Sequence, residues 1–327
     1  MGLAIVVVAL GVGLLAAGII DPSPFLPDAS SNPTASVGAG ATPSRRPSPE
    51  PSPSAKPPAG DVATLVGAGD IADCDRSEDE LTANLVETIP GTVFTLGDNA
   101  NPDGSRRAFE DCYTPTWGRE SILERTRPAA GDADYDTPDA APYFDYFGEA
   151  AGEPGAGYYA YDAATWRVYV LNSNCASIGG CGEGSAQEAW LLQDLEAEPR
   201  DCVLAMWHHA YFTSGPSGGG SSSRRNLWRV LQEAGAELAL SGHDHHYERF
   251  APLHGDGTLD PSGMVQFVVG TGGSRPDDLR VTAPHSEVRQ TDVAGVLHLS
   301  LRPGGYEFEF ISVAGTDFTD RGSGSCH

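Results

Sequence analysis

Ser241-Gly242-His243-Asp244-His245-His246 follows an apolar run at 236–240. The run reads as a buried strand, and the glycine lets the chain turn sharply at its C-terminal end. In such a turn both His243 and His245 can face one centre. Neutral imidazole is the commonest nitrogen ligand of transition metals, and α/β folds place their sites at the carboxyl ends of strands. Taken alone, the same six residues also read as a polar turn whose histidines only form hydrogen bonds. The rest of the chain decides between the two.

Among 327 residues the formal net charge is −25. Residues 1–60 are balanced, with Asp21, Asp28 and Glu50 against Arg45, Arg46 and Lys56, so the acidic excess lies beyond them. Such a surface repels nucleic-acid backbones and anionic membranes, and no nucleic-acid duplex is expected as a partner. Any phosphate it handles must be gripped by metal ions or a few local arginines.

Residues 3–20 are an uninterrupted run of apolar residues and glycine, with the length of a signal peptide or an N-terminal membrane anchor. No Lys or Arg precedes the run and no lipobox-type cysteine follows it, which leaves both readings open. Residues 21–60 hold 11 of the chain's 25 prolines among Ser, Ala and Gly, the composition of a disordered linker. A folded domain is expected over 61–327, outside the cytoplasm, either secreted or anchored to the outer face of the cell membrane. Membrane contact is expected only through residues 3–20. Six cysteines suit an oxidising compartment. Cys175 and Cys181 are close enough in a glycine-rich loop to pair. For the others, Cys74 with Cys112 and Cys202 with Cys326 is the favoured arrangement, although spacing leaves the connectivity open.

The apolar strand at 62–68 ends in Gly69-Asp70. A helix is expected from the Ser77 N-cap, with Glu80 completing a capping box, to Thr88 before Pro90. A strand at 92–96 ends in Gly97-Asp98, so two strands a helix apart end alike, as in a βαβ unit presenting carboxylates on one rim. Arg127-Pro-Ala-Ala-Gly131-Asp132 is a weaker third copy. A hairpin is expected at 157–171, a helix at 185–196, a strand at 202–207 ending in His208-His209, and a helix at 224–234. Strands at 264–269, 293–301 and 306–313 are expected to close a second sheet.

The strand ends therefore offer Asp70, Asp98, Asp132, His208, His243 and His245. A single Gly-Asp is ordinarily a turn. Four or more nitrogen and oxygen donors on separate strand termini suit a two-metal site that clamps a phosphoryl group. Arg106 and Arg107 read as a solvated helix face, Trp117 and Trp207 as core, and Asn172 and Asn174 as either rim or turn residues.

The motifs Gly69-Asp70-Ile-Ala, Gly97-Asp98-Asn-Ala-Asn101, Gly131-Asp132-Ala133-Asp134-Tyr135, His208-His209-Ala and Gly242-His243-Asp244-His245 occur in this order over residues 64–326. In this the chain resembles the calcineurin-like metallophosphoesterase family, in its purple acid phosphatase-like branch. The resemblance implies an α/β fold, a four-layer α/β/β/α sandwich of two mixed sheets. It also implies two divalent or mixed-valence metal ions (Fe, Zn or Mn). Asp70, Asp98 and His245 would hold the first, Asp98 would bridge, and Asp132, His208 and His243 would hold the second. The implied activity is hydrolysis of phosphate monoesters or diesters by a metal-bound hydroxide, on a phosphorylated small molecule or nucleotide.

Three positions depart from the family pattern. Asn101 stands where the branch usually has tyrosine, Asp132 where it has asparagine, and Ala133 where it has the histidine presumed to donate a proton. Ala72 also offers no imidazole where many relatives have one. The first metal keeps Asp70, Asp98 and His245 as its evident ligands, with Asn101 in place of a phenolate. His209 is the first candidate for the catalytic role, with His246 or Asp134 as alternatives. The alternative to an enzyme is a catalytically impaired relative that serves as a surface metal- or phosphate-binding module.

Overall fold

A computed structural model describes residues 62–279 and 281–327. The expected leader and linker lie outside the described residues. The chain runs β1 (Ala63–Ala68), β2 (Ala72–Asp73), α1 (Glu78–Thr88), β3 (Thr92–Leu96), β4 (Ala100–Asn101), two short helices α2 (Arg106–Ala108) and α3 (Glu120–Leu123), then β5 (Thr126–Ala129) and α4 (Ala141–Phe147). A hairpin of β6 (Tyr159–Ala163) and β7 (Trp166–Val170) leads to α5 (Ala186–Ala197), β8 (Cys202–His209), α6 (Ser222–Glu233) and β9 (Leu238–Gly242). The remaining strands are β10 (Tyr247–Phe250), β11 (Val265–Val269), β12 (Ser286–Gln290), β13 (Gly295–Arg302), β14 (Gly305–Ser312) and β15 (Thr319–Ser325).

The strands form two mixed sheets, in the orders β15-β14-β13-β1-β3-β5 and β12-β10-β11-β9-β8-β7-β6, with β2 and β4 as a separate pair. β1, β3 and β5 are mutually parallel, and so are β7, β8, β9 and β11. The C-terminal ends of each parallel set therefore form one rim per sheet.

The period-2 alternation of β7, β8 and β9 sorts their side chains between two cores. Trp166, Val168, Val170, Leu204, Met206, Leu238 and Leu240 share a cluster with Leu65, Val66, Val93 and Phe94 of the first sheet. Tyr169, Val203, Ala205, Trp207 and Ala239 point the other way, onto Leu191 of α5 and Leu227, Trp228 and Leu231 of α6. With α1 against the first sheet, the layers are helix, sheet, sheet, helix, as the resemblance implies. Trp117 and Trp207 are fully buried core residues.

Two expectations need correction. Strands β13 and β14 do not complete the second sheet, because β13 pairs antiparallel with β1, which seats the C-terminal strands beside the first strand. Sequence periodicity describes the faces of a strand and says nothing about its lateral partner. The capping box at Ser77 is also absent, since its side chain makes no cap bond. Glu78, Asp79 and Glu80 still place negative charge on the first turn, where the helix dipole favours it. In α5, by contrast, Ser185 Oγ accepts the Glu188 N–H at 3.2 Å.

The cysteines pair as Cys74–Cys112, Cys175–Cys181 and Cys202–Cys326. The third pair spans 124 residues and ties the first residue of β8 to the end of β15, across the two sheets. Closing so long a loop restricts the unfolded chain most. Replacing Cys202 and Cys326 by serine should therefore cost about 2–4 kcal/mol of stability. Urea unfolding of the double variant measures this, and an unchanged midpoint contradicts it.

Candidate metal centre

The residues of the centre stand at or just past the carboxyl ends of parallel strands. Asp70 follows β1, Asp98 follows β3, Asp132 follows β5, His208 is the next-to-last residue of β8, and His243 follows β9. Three of them, Asp70 (φ 58°), Asp98 (φ 50°) and His243 (φ 70°), have left-handed backbones without being glycine. That conformation costs of order 1–3 kcal/mol per residue and persists only where the surroundings dictate it. Here backbone bonds do so: Asp70 N–H donates to Gly97 O at 2.9 Å and Ile71 N–H to Asp98 O at 3.0 Å, while Gly69 N–H reaches Val269 O of the other sheet at 2.8 Å.

The glycines of the motifs are needed for close approach. A Cβ on Gly131 would collide with the carboxylate of Asp98, and one on Gly242 would lie 2.6 Å from Asp70 Oδ2.

Hydrogen bonds set which nitrogen each histidine presents. His208 is buried, and its Nδ1–H donates to Leu96 O at 2.6 Å, which turns Nε2 toward Asp132 Oδ1 (2.8 Å) and Asp98 Oδ1 (3.3 Å). His245 Nδ1–H donates to Arg275 O at 2.9 Å, so its Nε2 faces Asp70 Oδ1 at 3.4 Å. The His245 backbone N–H is held by Asp277 Oδ2 at 2.8 Å. His243 Nδ1 lies 2.9 Å from Asp132 Oδ1, and the His243 backbone N–H donates to Asp70 Oδ2 at 2.9 Å. Holding one ring nitrogen on a carbonyl and aiming the other at a common point is how proteins prepare imidazoles for metals.

Two groups of ligand atoms result, Asp70 with Asp98 and His208, and Asp132 with His208, His209 and His243, each with all atoms within 4.8 Å of one another. Asp70 Oδ1 is buried and makes no well-formed hydrogen bond among the described residues, His245 Nε2 facing it at 3.4 Å. A carboxylate oxygen in that position is costly unless a positive charge faces it. The donor set of carboxylates and imidazoles, the orphaned oxygen and the glycine clearances all fit divalent cations.

The departures are also placed. Asn101 Nδ2 donates to Asp98 O (3.4 Å) and Ser274 Oγ (3.1 Å), so only its carboxamide oxygen remains for a cation. The Ala133 N–H donates to Asp98 Oδ1 at 2.9 Å, and no imidazole stands there. His246 and Asp134 are both buried. His246 Nε2 bonds Glu248 at 3.0 Å, while Asp134 accepts from Gly131 N–H (2.8 Å) and Asn99 Nδ2 (2.9 Å), joining the second and third motifs from behind. Neither reaches a substrate from there. Asn172 and Asn174 bond each other and Ala130 O, bracing the loop after β7. Arg106 and Arg107 pair with Asp145 and Asp111 on the surface.

Sequence reasoning missed Asp277 and Arg275, which orient His245 from 32 and 30 residues away, and also Arg224. Arg224 is half-buried, its Nε has no partner among the described residues, and its charge interacts with Asp244 and His209. Its Nε thus carries no hydrogen bond among the described residues, and its charge is felt at His209.

Electrostatics couple the groups. Burial, reinforced by Asp70, Asp132 and Asp134, pushes Asp98 up to about 7 despite His208. Burial opposes the charge of His208, but Asp98, Asp132 and Asp70 outweigh it and push the imidazole up to about 10. Burial likewise opposes charge on His245, and Asp70 pushes it up to about 9. Burial disfavours ionised Asp132, yet His208 and His243 hold it well below the usual carboxylate range.

No family model matches the chain. It is 28% identical over 151 residues to Purple acid phosphatase 21 of Arabidopsis thaliana, covering 44% of this chain and 33% of that protein. With Purple acid phosphatase 23 of the same plant it shares 26% over 208 residues, covering 59% and 44%. An uncharacterized protein of Mycobacterium tuberculosis matches at 28% over 149 residues, covering 39% and 28%. The matches thus span less than half the length of these relatives. Among solved structures, the purple acid phosphatase from yellow lupin (Lupinus luteus) seeds superposes with a TM-score of 0.68 at 16% identity, covering 81% of this chain and 54% of that one. The anchor in the inner membrane complex of Plasmodium superposes with 0.62 at 17%, covering 80% and 88%. At these identities the structural likeness establishes the fold.

Because Asp98 and His208 take up protons that a cation must displace, metal binding should release protons, and affinity should rise with pH. The raised carboxyl and imidazole stay protonated up to about 7 and 10, so competition is strongest at low pH, and the slope should lessen once Asp98 ionises near 7. Titration calorimetry with Mn²⁺ at pH 5.5, 7 and 8.5, in buffers of different ionisation enthalpy, reads both quantities. An affinity independent of pH contradicts this.

Proposed function

We propose that this chain, purple acid phosphatase-like within the calcineurin-like metallophosphoesterases, is an exported hydrolase of phosphate monoesters or diesters that works at a binuclear centre. The observation that carries the reading is the convergence of Asp70, Asp98, Asp132, His208 and His243 from the strand ends of both sheets, with His245 on Asp70. In this reading Asp70, Asp98 and His245 hold the first cation, Asp98 bridges, and Asp132, His208 and His243 hold the second. Asn101 contributes at most a carboxamide oxygen to the first. When bound, two such ions (Fe, Zn or Mn) polarise a phosphoryl group and activate water.

The protein's own groups then set the character of the reaction. Asp132, as an anion where the family has a neutral amide, offsets part of the second ion's charge. Arg224 supplies the cation that draws an anionic phosphorylated small molecule or nucleotide into an otherwise acidic surface. No side chain at position 133 protonates the leaving group, so the rate depends steeply on how well that group leaves unaided. Residues 3–20 as a signal peptide or anchor, residues 21–60 as a linker, and the disulfides support export. Among the described residues no helix is long and apolar enough to cross a membrane.

The Ala133 methyl, at the position where the branch carries its presumed acid, favours a second reading, a binding module that retains metal and phosphate affinity without turnover. Hydrolysis of p-nitrophenyl phosphate, an alkyl phosphate and a phosphodiester by the Mn-, Zn- or Fe-loaded protein separates the two. The enzyme reading expects turnover on the aryl ester that Asp98→Asn abolishes, much slower alkyl ester hydrolysis, and a gain of tenfold or more on the alkyl ester in Ala133→His. A folded, metal-loaded protein without turnover, yet binding inorganic phosphate, sinks the enzyme reading in favour of the module. Arg224→Ala should raise KM about tenfold with kcat little changed, the scale of one charge-assisted hydrogen bond. An unchanged KM removes Arg224 from substrate binding.

A further inference from the structure

One more donor reaches the position of the second cation than the family pattern supplies. His209 Nε2 lies 3.3 Å from Asp132 Oδ1, the same oxygen approached by His208 and His243, and its ring centroid is 4.4 Å from that of His243. Neighbouring residues of a regular strand point to opposite faces. His208 and His209 reach the same carboxylate because the register of β8 against β9 shifts between Met206 and His209, which lets both imidazoles turn inward with their planes at 80°.

The other nitrogen of the ring is held by a buried hydroxyl. Ser173 Oγ is 2.8 Å from His209 Nδ1 and also accepts the His209 backbone N–H at 3.0 Å. A serine hydroxyl has two acceptor sites. With one taken by the backbone, the second can accept Nδ1–H, which leaves Nε2 as the unprotonated nitrogen facing Asp132. With the proton on Nδ1 the arrangement parallels His208 on Leu96 O and His245 on Arg275 O, where the carbonyl can only accept, whereas the Ser173 hydroxyl is also able to donate.

Resting on the binuclear reading above, we propose that His209 is a ligand of the second cation and that Ser173 is its positioning residue. The second cation is then held by Asp132 and three histidines, with Asp98 bridging. The additional neutral nitrogen accompanies the change to an anionic Asp132, so the site gains both charge and a donor. In this role Nε2 carries no proton and His209 is not the acid that replaces the missing histidine at position 133.

The test is titration calorimetry of the chelated full-length protein with Zn²⁺ and with Mn²⁺, resolving two equivalents, for the wild type, His209→Gln, Ser173→Ala and His245→Gln. X-ray absorption of the Zn-loaded samples counts imidazole ligands independently of activity. The assignment expects His209→Gln to weaken one equivalent at least tenfold and to lose one imidazole from the count. That equivalent should be a different one from the equivalent weakened by His245→Gln. Ser173→Ala, which leaves every proposed ligand in place, should weaken the same equivalent as His209→Gln by about tenfold. Two equivalents bound by His209→Gln and Ser173→Ala as tightly as by the wild type, with the imidazole count unchanged, overturn the assignment while leaving the binuclear reading intact. A wild type that binds no second equivalent overturns both.

Discussion

The bond from His208 Nδ1 to the carbonyl of Leu96 joins the end of β8, in one sheet, to the end of β3, in the other. Everything in the centre depends on that junction. It fixes the tautomer of the one imidazole that touches both ligand groups, and it holds the two parallel rims at one level. Gly69 N–H on Val269 O makes a second tie of the same kind between the sheets. No backbone ladder joins two sheets packed face to face, and a relative displacement of one residue, about 3.3 Å, would carry the ligand atoms of one rim away from those of the other.

The junction concentrates like charge. Asp70, Asp98, Asp132 and Asp134 are drawn together by backbone geometry, with three left-handed residues among the proposed ligands. Such an arrangement is unfavourable for a protein standing alone, and protons on Asp98 and His208 partly relieve it. Cations relieve it better, because each neutralises several carboxylates at once. Strain and crowding at a single rim, in a molecule whose core is otherwise well packed, are the physical mark of a place shaped for a ligand.

Much of this was legible in the sequence. Gly69-Asp70 and Gly97-Asp98 could be read because a short apolar run followed by glycine marks both the end of a strand and the clearance its neighbour needs. Asp132 was the weakest of the three, since the strand before it contains Arg127 and Pro128, and the structure places it on the same rim as the others. The layer order followed from the resemblance. The side-by-side order of strands did not, and β13 joined β1 instead of the second sheet because lateral pairing is chosen by contacts between segments more than 200 residues apart.

By itself the sequence determined the types of donor, their positions at strand ends, the acidic balance, and the departures at Asn101, Asp132 and Ala133, because each of these is a property of a residue and its immediate neighbours. Only the tertiary structure decided which nitrogen His208 and His245 present, that His209 turns inward beside His208, that Asp277 and Ser173 hold His245 and His209, and that Arg224 Nε is left without a hydrogen bond among the described residues. A hydrogen-bond partner tens of residues away, or a register shift between two strands, leaves no periodicity in the chain. It exists only once the sheets have packed and buried backbone groups have found their partners.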